Sequence, residues 1–157
     1  MKLIISDSTT IITLLNIDRL DVLTNIFSLV YIPKRVYEEI VIDEQIILNE
    51  NFFIIKEIKD KKLYKLLSKS LDAGECEAIV LAKEMGLSLI IDEKKGRKIA
   101  YNLGINIFGF IGLLVLNCKN GLLTQEETIG IFYKAKEQGF RVGFRLENEF
   151  LELITKI

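Results

Sequence analysis

Apolar residues along this chain fall into two alternating patterns, short continuous runs and runs spaced three or four apart. That alternation predicts strands separated by helices. Lys2 to Ser6 (KLIIS), Val30 to Ile32, Asn51 to Ile58 (NFFIIKEI), Leu87 to Ile91 and Ile105 to Phe108 read as strands. Helical spacing follows through Ile11 to Leu15, Val36 to Val41, Lys61 to Leu71, Ala78 to Met85, Lys94 to Leu103 and Ile111 to Cys118. Ser8 or Thr9 is expected to cap the first helix, Asp18 a second short one around Leu20 to Ile26, and Pro33 sits at a helix start. Thr124, with Glu127 at the capping-box position, opens a helix that runs to about Gln138 and stops at Gly139. Phe140 to Phe144 reads as a short extended segment and Glu147 to Ile157 as a terminal helix. Strands alternating with helices imply parallel βαβ crossovers and a sheet covered on both faces, an α/β protein.

Composition narrows the chemistry. The 157 residues are half hydrophobic and 27% charged, which fits a single domain, 1–157, with 124–157 as a C-terminal helical extension. A net charge of -1 offers no global attraction for a polyanion. The absence of histidine removes the commonest general base and the commonest zinc ligand, leaving carboxylates, Lys, Tyr, hydroxyls or an oxygen-held metal. Cys76 and Cys118 lie in apolar helical patterns and read as reduced core thiols. No apolar run reaches the ~18 residues needed to cross a bilayer, and no signal-peptide layout follows Met1, so a cytoplasmic protein without membrane attachment is expected.

The candidate chemistry lies in four acids. Asp7 and Asp92 follow strands, at the carboxyl ends where open parallel sheets bind ligands. Glu39 lies on a helix beside the Val36/Ile40 stripe, and Glu75 opens the helix of LDAGECEAIVLA. Each has a plainer reading: Asp7 as a helix cap, Glu39 as a solvated helical acid, Glu75 as the partner of Asp72 in a capping box, Asp92 as a turn residue in DEKKG. Their coincidence favours chemistry, because gathered like charges repel and are usually tolerated only around a cation. Carboxylates without His or Cys select Mg²⁺ or Mn²⁺. Lys94, Lys95, Arg97 and Lys98 form either a solvated helix face or a phosphate-holding patch, with Arg97 best suited to phosphate. A phosphatase of the haloacid-dehalogenase type would want a second acid two places after Asp7, where Thr9 stands.

In order, IISDSTTI, IPKRVYEEI, LDAGECEAIVLA and LSLIIDEKKGRKIAYNLGI resemble the PIN domain, and within it the small prokaryotic PIN-like proteins related to VapC-type toxins. The resemblance covers roughly residues 2 to 123. It implies a three-layer α/β/α sandwich with a parallel sheet of four to five strands. It also implies a metal-dependent ribonuclease, using two-metal phosphodiester hydrolysis, that is neutralised by an antitoxin. Asp7, Glu39, Glu75 and Asp92 would be its acids, with Asp7, Glu75 and Asp92 as metal ligands and Thr9, Lys94 and Arg97 on the RNA. Glu75 stands where the family usually has Asp. Glu77 or Glu93 would replace Glu75 or Asp92 in an alternative register. A binding module with a weak or inactive acid site is the other reading. The apolar content of the C-terminal third, Ile129, Phe132, Phe140, Phe144, Phe150, Leu151 and Ile154, suggests a homodimer, against the rival that the terminal helix folds back on its own chain.

Overall fold

A computed structural model describes residues 2–157. The first strand, β1 (Leu3–Ser6), lies at the centre of a five-stranded sheet in the order β3-β2-β1-β4-β5, every neighbouring pair parallel. The chain passes through α1 (Ser8–Asn16) and a single turn, α2 (Asp21–Thr24), into β2 (Leu29–Pro33). It continues through α3 (Lys34–Glu38), which runs on as a π-helical turn over Glu39–Asp43, to the edge strand β3 (Phe53–Lys56). Two helices, α4 (Lys61–Leu67) and α5 (Ala73–Met85), carry it back across the sheet to β4 (Leu89–Ile90), on the other side of β1. Then come α6 (Lys94–Asn102), β5 (Ile107–Phe108), α7 (Phe110–Lys119), α8 (Gln125–Glu137) and α9 (Phe144–Thr155).

Strand side chains alternate between two cores, as a sheet buried on both faces requires. Ile4, Val30, Ile32 and Ile90 point into one, filled by α1, α2, α3, α7, α8 and α9. Ile5, Leu89 and Ile91 point into the other, against α4, α5 and α6. This is the expected three-layer α/β/α sandwich with helices on both faces. Both cysteines are buried and free, and burial pushes the Cys76 thiol up to about 11, so it stays protonated.

Several local expectations shift. Asp7, not Ser8 or Thr9, caps α1. Asp18 adopts the left-handed region at φ 55, and Leu20 is the N-cap of α2. Pro33 ends β2 and is itself the N-cap of α3, since its φ of -66 suits both. Phe140 to Phe144 joins no strand, and Phe144 already belongs to α9. The C-terminal helices complete a core: Phe132, Phe150 and Ile154 are buried with Phe110 and Leu113 of α7. Much of the apolar content that suggested a dimer is therefore satisfied within the chain.

One buried polar side chain ties α7 to α2 within the first of these layers. Asn117 of α7 donates from Nδ2 to the carbonyls of Val22 (2.9 Å) and Leu113 (2.9 Å), and its Oδ1 accepts from Asn25 Nδ2 (2.9 Å). Asn117→Leu would fit the volume but strand the Val22 carbonyl, at a cost of about 1–3 kcal/mol. The expected outcome is a Tm drop of roughly 3–10 °C by calorimetry, with a smaller loss for Asn25→Ala at the exposed end of the bond. Equal stability of Asn117→Leu and the parent would remove this role.

Candidate active site

The order of strands reverses between β1 and β4: one leads outward to β2 and β3, the other to β5. A crevice at the carboxyl ends of two such strands is where open α/β sheets bind ligands. Asp7 follows β1 and donates its backbone N–H to the Ile90 carbonyl at 3.0 Å, so the chain positions of Asp7 and Asp92 are set by the same ladder. Asp7 caps α1 by accepting from Ser8 N–H at 2.8 Å. Asp92 accepts from Thr10 Oγ1 at 2.8 Å and from Phe110 N–H, at the start of α7, at 3.0 Å.

The two helical acids arrive from the other side of β1. Glu39 stands at the junction of α3 with its π-helical turn and accepts from Ser8 Oγ at 2.6 Å. Gly74, in the first turn of α5, has no side chain where that carboxylate sits. A Cβ there would overlap Glu39 Oε1 and stand 2.8 Å from its Cδ. Glu75 is next along α5 and shares a hydrogen bond with the carboxyl group of Asp72, the residue that caps the helix by accepting from Glu75 N–H at 2.9 Å.

Electrostatically these groups form one community. Burial, then the charges of Glu39, Asp72 and Asp92, push the Asp7 pKa up to about 7 against the pull of the Ser8 N–H. Burial, the Asp72 hydrogen bond and the charges of Asp72, Asp7 and Glu93 push Glu75 up to about 8. Burial also raises Glu39, with Asp72 adding to it and Ser8 and Arg35 opposing. Among the described residues no Lys or Arg pairs with Asp7, Glu39, Asp72, Glu75 or Asp92 within 4 Å. Such unneutralised carboxylates are the donor chemistry of a hard divalent cation. As placed, Asp7, Glu39 and Asp92 each accept from donors of their own, Glu75 is paired with Asp72, and no three of the described acids converge on a common ligand point.

The structure thus brings Asp7, Glu39, Glu75 and Asp92 to one edge of the sheet. Of the alternatives in register, Glu77 points elsewhere and accepts from Arg35 N–H at 3.0 Å. Glu93 caps α6 through Gly96 N–H at 2.6 Å. The run Ser8-Thr9-Thr10 divides by helical phase: Ser8 reaches Glu39, Thr10 reaches Asp92, and Thr9 is exposed toward a cavity beside the acids. Lys94, Lys95 and Lys98 are exposed on α6, whereas Arg97 lies back against the chain and donates from Nη1 to the Ile91 carbonyl at 2.8 Å. Asp72, Ser8, Thr10 and Gly74 were not singled out by sequence reasoning. Asp72 was seen only as half of a capping box, and a buried glycine inside an alanine-rich helix was the signal for Gly74.

A family model described as DUF3368: PIN domain matches residues 3–156. The chain belongs to the PIN-domain family. The match extends through α8 and α9, well past residue 123, where the motifs recognisable by eye run out. Among curated proteins, none matches the chain. PIN domains are generally nucleases, and the acidic edge described above is where this PIN domain carries its candidate chemistry.

The Gly74 contact can be read by coupling. In an ordinary helix Gly→Ala stabilises by roughly 0.5–1 kcal/mol. Gly74→Ala should forgo much of that gain, because the new methyl turns the Glu39 carboxylate out of its bond to Ser8. Thermal melts of Gly74→Ala in the parent and in a Glu39→Ala background check it. The change should raise Tm more where Glu39 is absent, and equal shifts in the two backgrounds would contradict the contact.

Proposed function

We propose that this PIN domain is a Mg²⁺- or Mn²⁺-dependent endoribonuclease that hydrolyses RNA phosphodiester bonds, acting in the cytoplasm as the toxin of a toxin–antitoxin pair. The observation that carries the nuclease reading is the set of Asp7, Glu39, Glu75 and Asp92 at the β1/β4 edge without a basic partner within 4 Å, where burial first and neighbouring charge after it raise the pKa of Asp7 to about 7 and that of Glu75 to about 8. Asp7, Glu75 and Asp92 would hold the cation, with Asp72 beside them. When bound, the ion supplies charge stabilisation and activation of water without any histidine.

The chain's own residues do the positioning. Ser8 and Thr10 orient Glu39 and Asp92, fixing two carboxylates from opposite sides of Asp7. Loading a cation would turn Glu39 from Ser8 and Glu75 from Asp72, and it would displace protons from Asp7 and Glu75. Arg97, Thr9 and Lys94 stand on the Asp92 side, where the RNA backbone would lie, and supply cationic and hydroxyl donors to phosphate. No described helix is long and apolar enough to cross a membrane, which fits a cytoplasmic site of action. The toxin role and its antitoxin rest on the resemblance of the acid motifs to VapC-type proteins.

Asp7→Asn tests the reading, because Asn remains a good N-cap and so spares the fold. Cleavage of single-stranded RNA in Mn²⁺ should fall by at least about 100-fold, while EDTA abolishes the parent activity. The pH dependence of stability has a definite sign. Asp7 and Glu75 bind protons more tightly in the folded state than in the unfolded one. Without metal, the contribution of these two groups to stability is therefore full below about pH 4 and is lost as pH rises toward about 7 and 8. Asp7→Asn should flatten that decline, and Mn²⁺ should raise Tm more at pH 8 than at pH 6. An unchanged pH slope with full activity would return Asp7 to a cap alone.

A homodimer is part of the same proposal, supported by α9, where Phe144 is 80% and Leu153 47% exposed. Light scattering at micromolar concentration should give twice the chain mass. Leu153→Lys with Phe144→Ser, which leaves Phe132 and Phe150 packed, should give the monomer.

A further inference from the structure

A cavity of about 780 Å³ opens beside the acids, touching Asp92 and Glu93. Its sides come from four places far apart in sequence: the start of α1, the Asp92–Arg97 stretch that opens α6, the β5–α7 turn, and the Gln138–Val142 segment that joins α8 to α9. That volume falls within the range of small-molecule sites. Phe108, Ile111, Phe140 and Val142 give it apolar walls. Phe140 is held in place by packing edge-on against buried Phe110, centroids 4.8 Å apart.

Its polar groups are few and convergent. Arg97 lines one side, anchored through Nη1 to the Ile91 carbonyl, which leaves its remaining N–H groups to face a ligand. Arg141, from the segment that joins α8 to α9, lines the cavity as well and is exposed. Among the described residues neither guanidinium pairs with a carboxylate within 4 Å. The first turn of α7 also borders the space, adding the positive end of a helix dipole, and a Cβ on its Gly112 would meet nothing within 4 Å. An apolar slot lined by two unpaired guanidinium groups is complementary to a flat ring carrying a phosphate.

We propose that this cavity is a nucleotide subsite. It holds the base and sugar of one residue of the RNA strand next to the cleaved bond, with Arg97 and Arg141 on that residue's phosphate. The base lies between the Phe108 and Phe140 walls, and Asp92, shared by cavity and acid edge, marks where strand and chemistry meet. The proposal rests on the ribonuclease reading for its place in the strand, but occupancy needs neither metal nor turnover.

The test uses the full chain in EDTA, titrated with UMP, AMP, ribose 5-phosphate and inorganic phosphate and followed by amide chemical shifts. Nucleoside monophosphates should shift Gly109, Gly112, Gly139 and Arg141, binding at least about fivefold more tightly than ribose 5-phosphate through the base alone. Arg141→Ala, an exposed position whose loss leaves the fold intact, should weaken them by about threefold or more. A flat titration up to about 20 mM, the result expected if a protein partner fills the cavity instead, overturns the proposal. So does equal affinity for phosphate and nucleotide, or an Arg141→Ala variant that binds like the parent. Binding of nucleotides by a chain that cuts no RNA would leave the subsite standing and remove the ribonuclease reading. Cleavage with a flat titration would do the reverse.

Discussion

The parallel ladder between β1 and β4 is the constraint on which the rest of the structure depends. These two strands pair for only a few residues, Ile5 with Leu89 and Ser6 with Ile90, but both end at the same level, and an aspartate leaves each end. Because β1 sends the chain one way to β2 and β4 sends it the other way to β5, helices cannot close over the gap between them. Negative charge collects in that gap because the strands leave it open, and the flanking helices α3 and α5 add an acid each. Burying these acids together is expensive for the fold by itself, as the pKa values of Asp7 and Glu75, raised first by burial and then by neighbouring charge, show.

The fold was legible because both of its periodicities are clean. Ile4 and Ile5, or Ile90 and Ile91, are consecutive apolar residues serving opposite cores, which only a strand buried on both faces requires. Boundaries were less legible where local propensity and tertiary packing point different ways. Phe140 to Phe144 looks β-prone by composition, yet tertiary packing of Phe140 on Phe110 outweighs that propensity, and Phe144 begins a helix. The Asp18 turn was obscured because Asp is both a good cap and one of the few residues that tolerate a left-handed φ.

At the site, the four acids could be picked out one by one, but not what holds them. Spacing alone distinguishes Glu75 from Glu77 poorly, since both lie on one helix two residues apart. What separates them is the N-terminus of α3, which presents Arg35 N–H to Glu77 and leaves Glu75 to the cluster. Likewise three hydroxyls follow Asp7, and only the winding of α1 decides that the first and third, not the second, reach acids. Asp72 escaped notice because its capping role is real; a residue with one sufficient reason to be acidic hides a second. The C-terminal helices showed the opposite error: their apolar residues looked surplus because the core they fill, around α7, is not visible as a pattern in any one segment.

Asp7 belongs to both sides of that division, as the cap of α1 and as the most buried of the acids. The two demands differ in stringency. A cap accepts Asn, Ser or Thr nearly as well as Asp, whereas a carboxylate site accepts none of them. Mutational drift at this one position would therefore meet no resistance from folding. A lineage could exchange this carboxylate in a single substitution and keep its shape and its abundance.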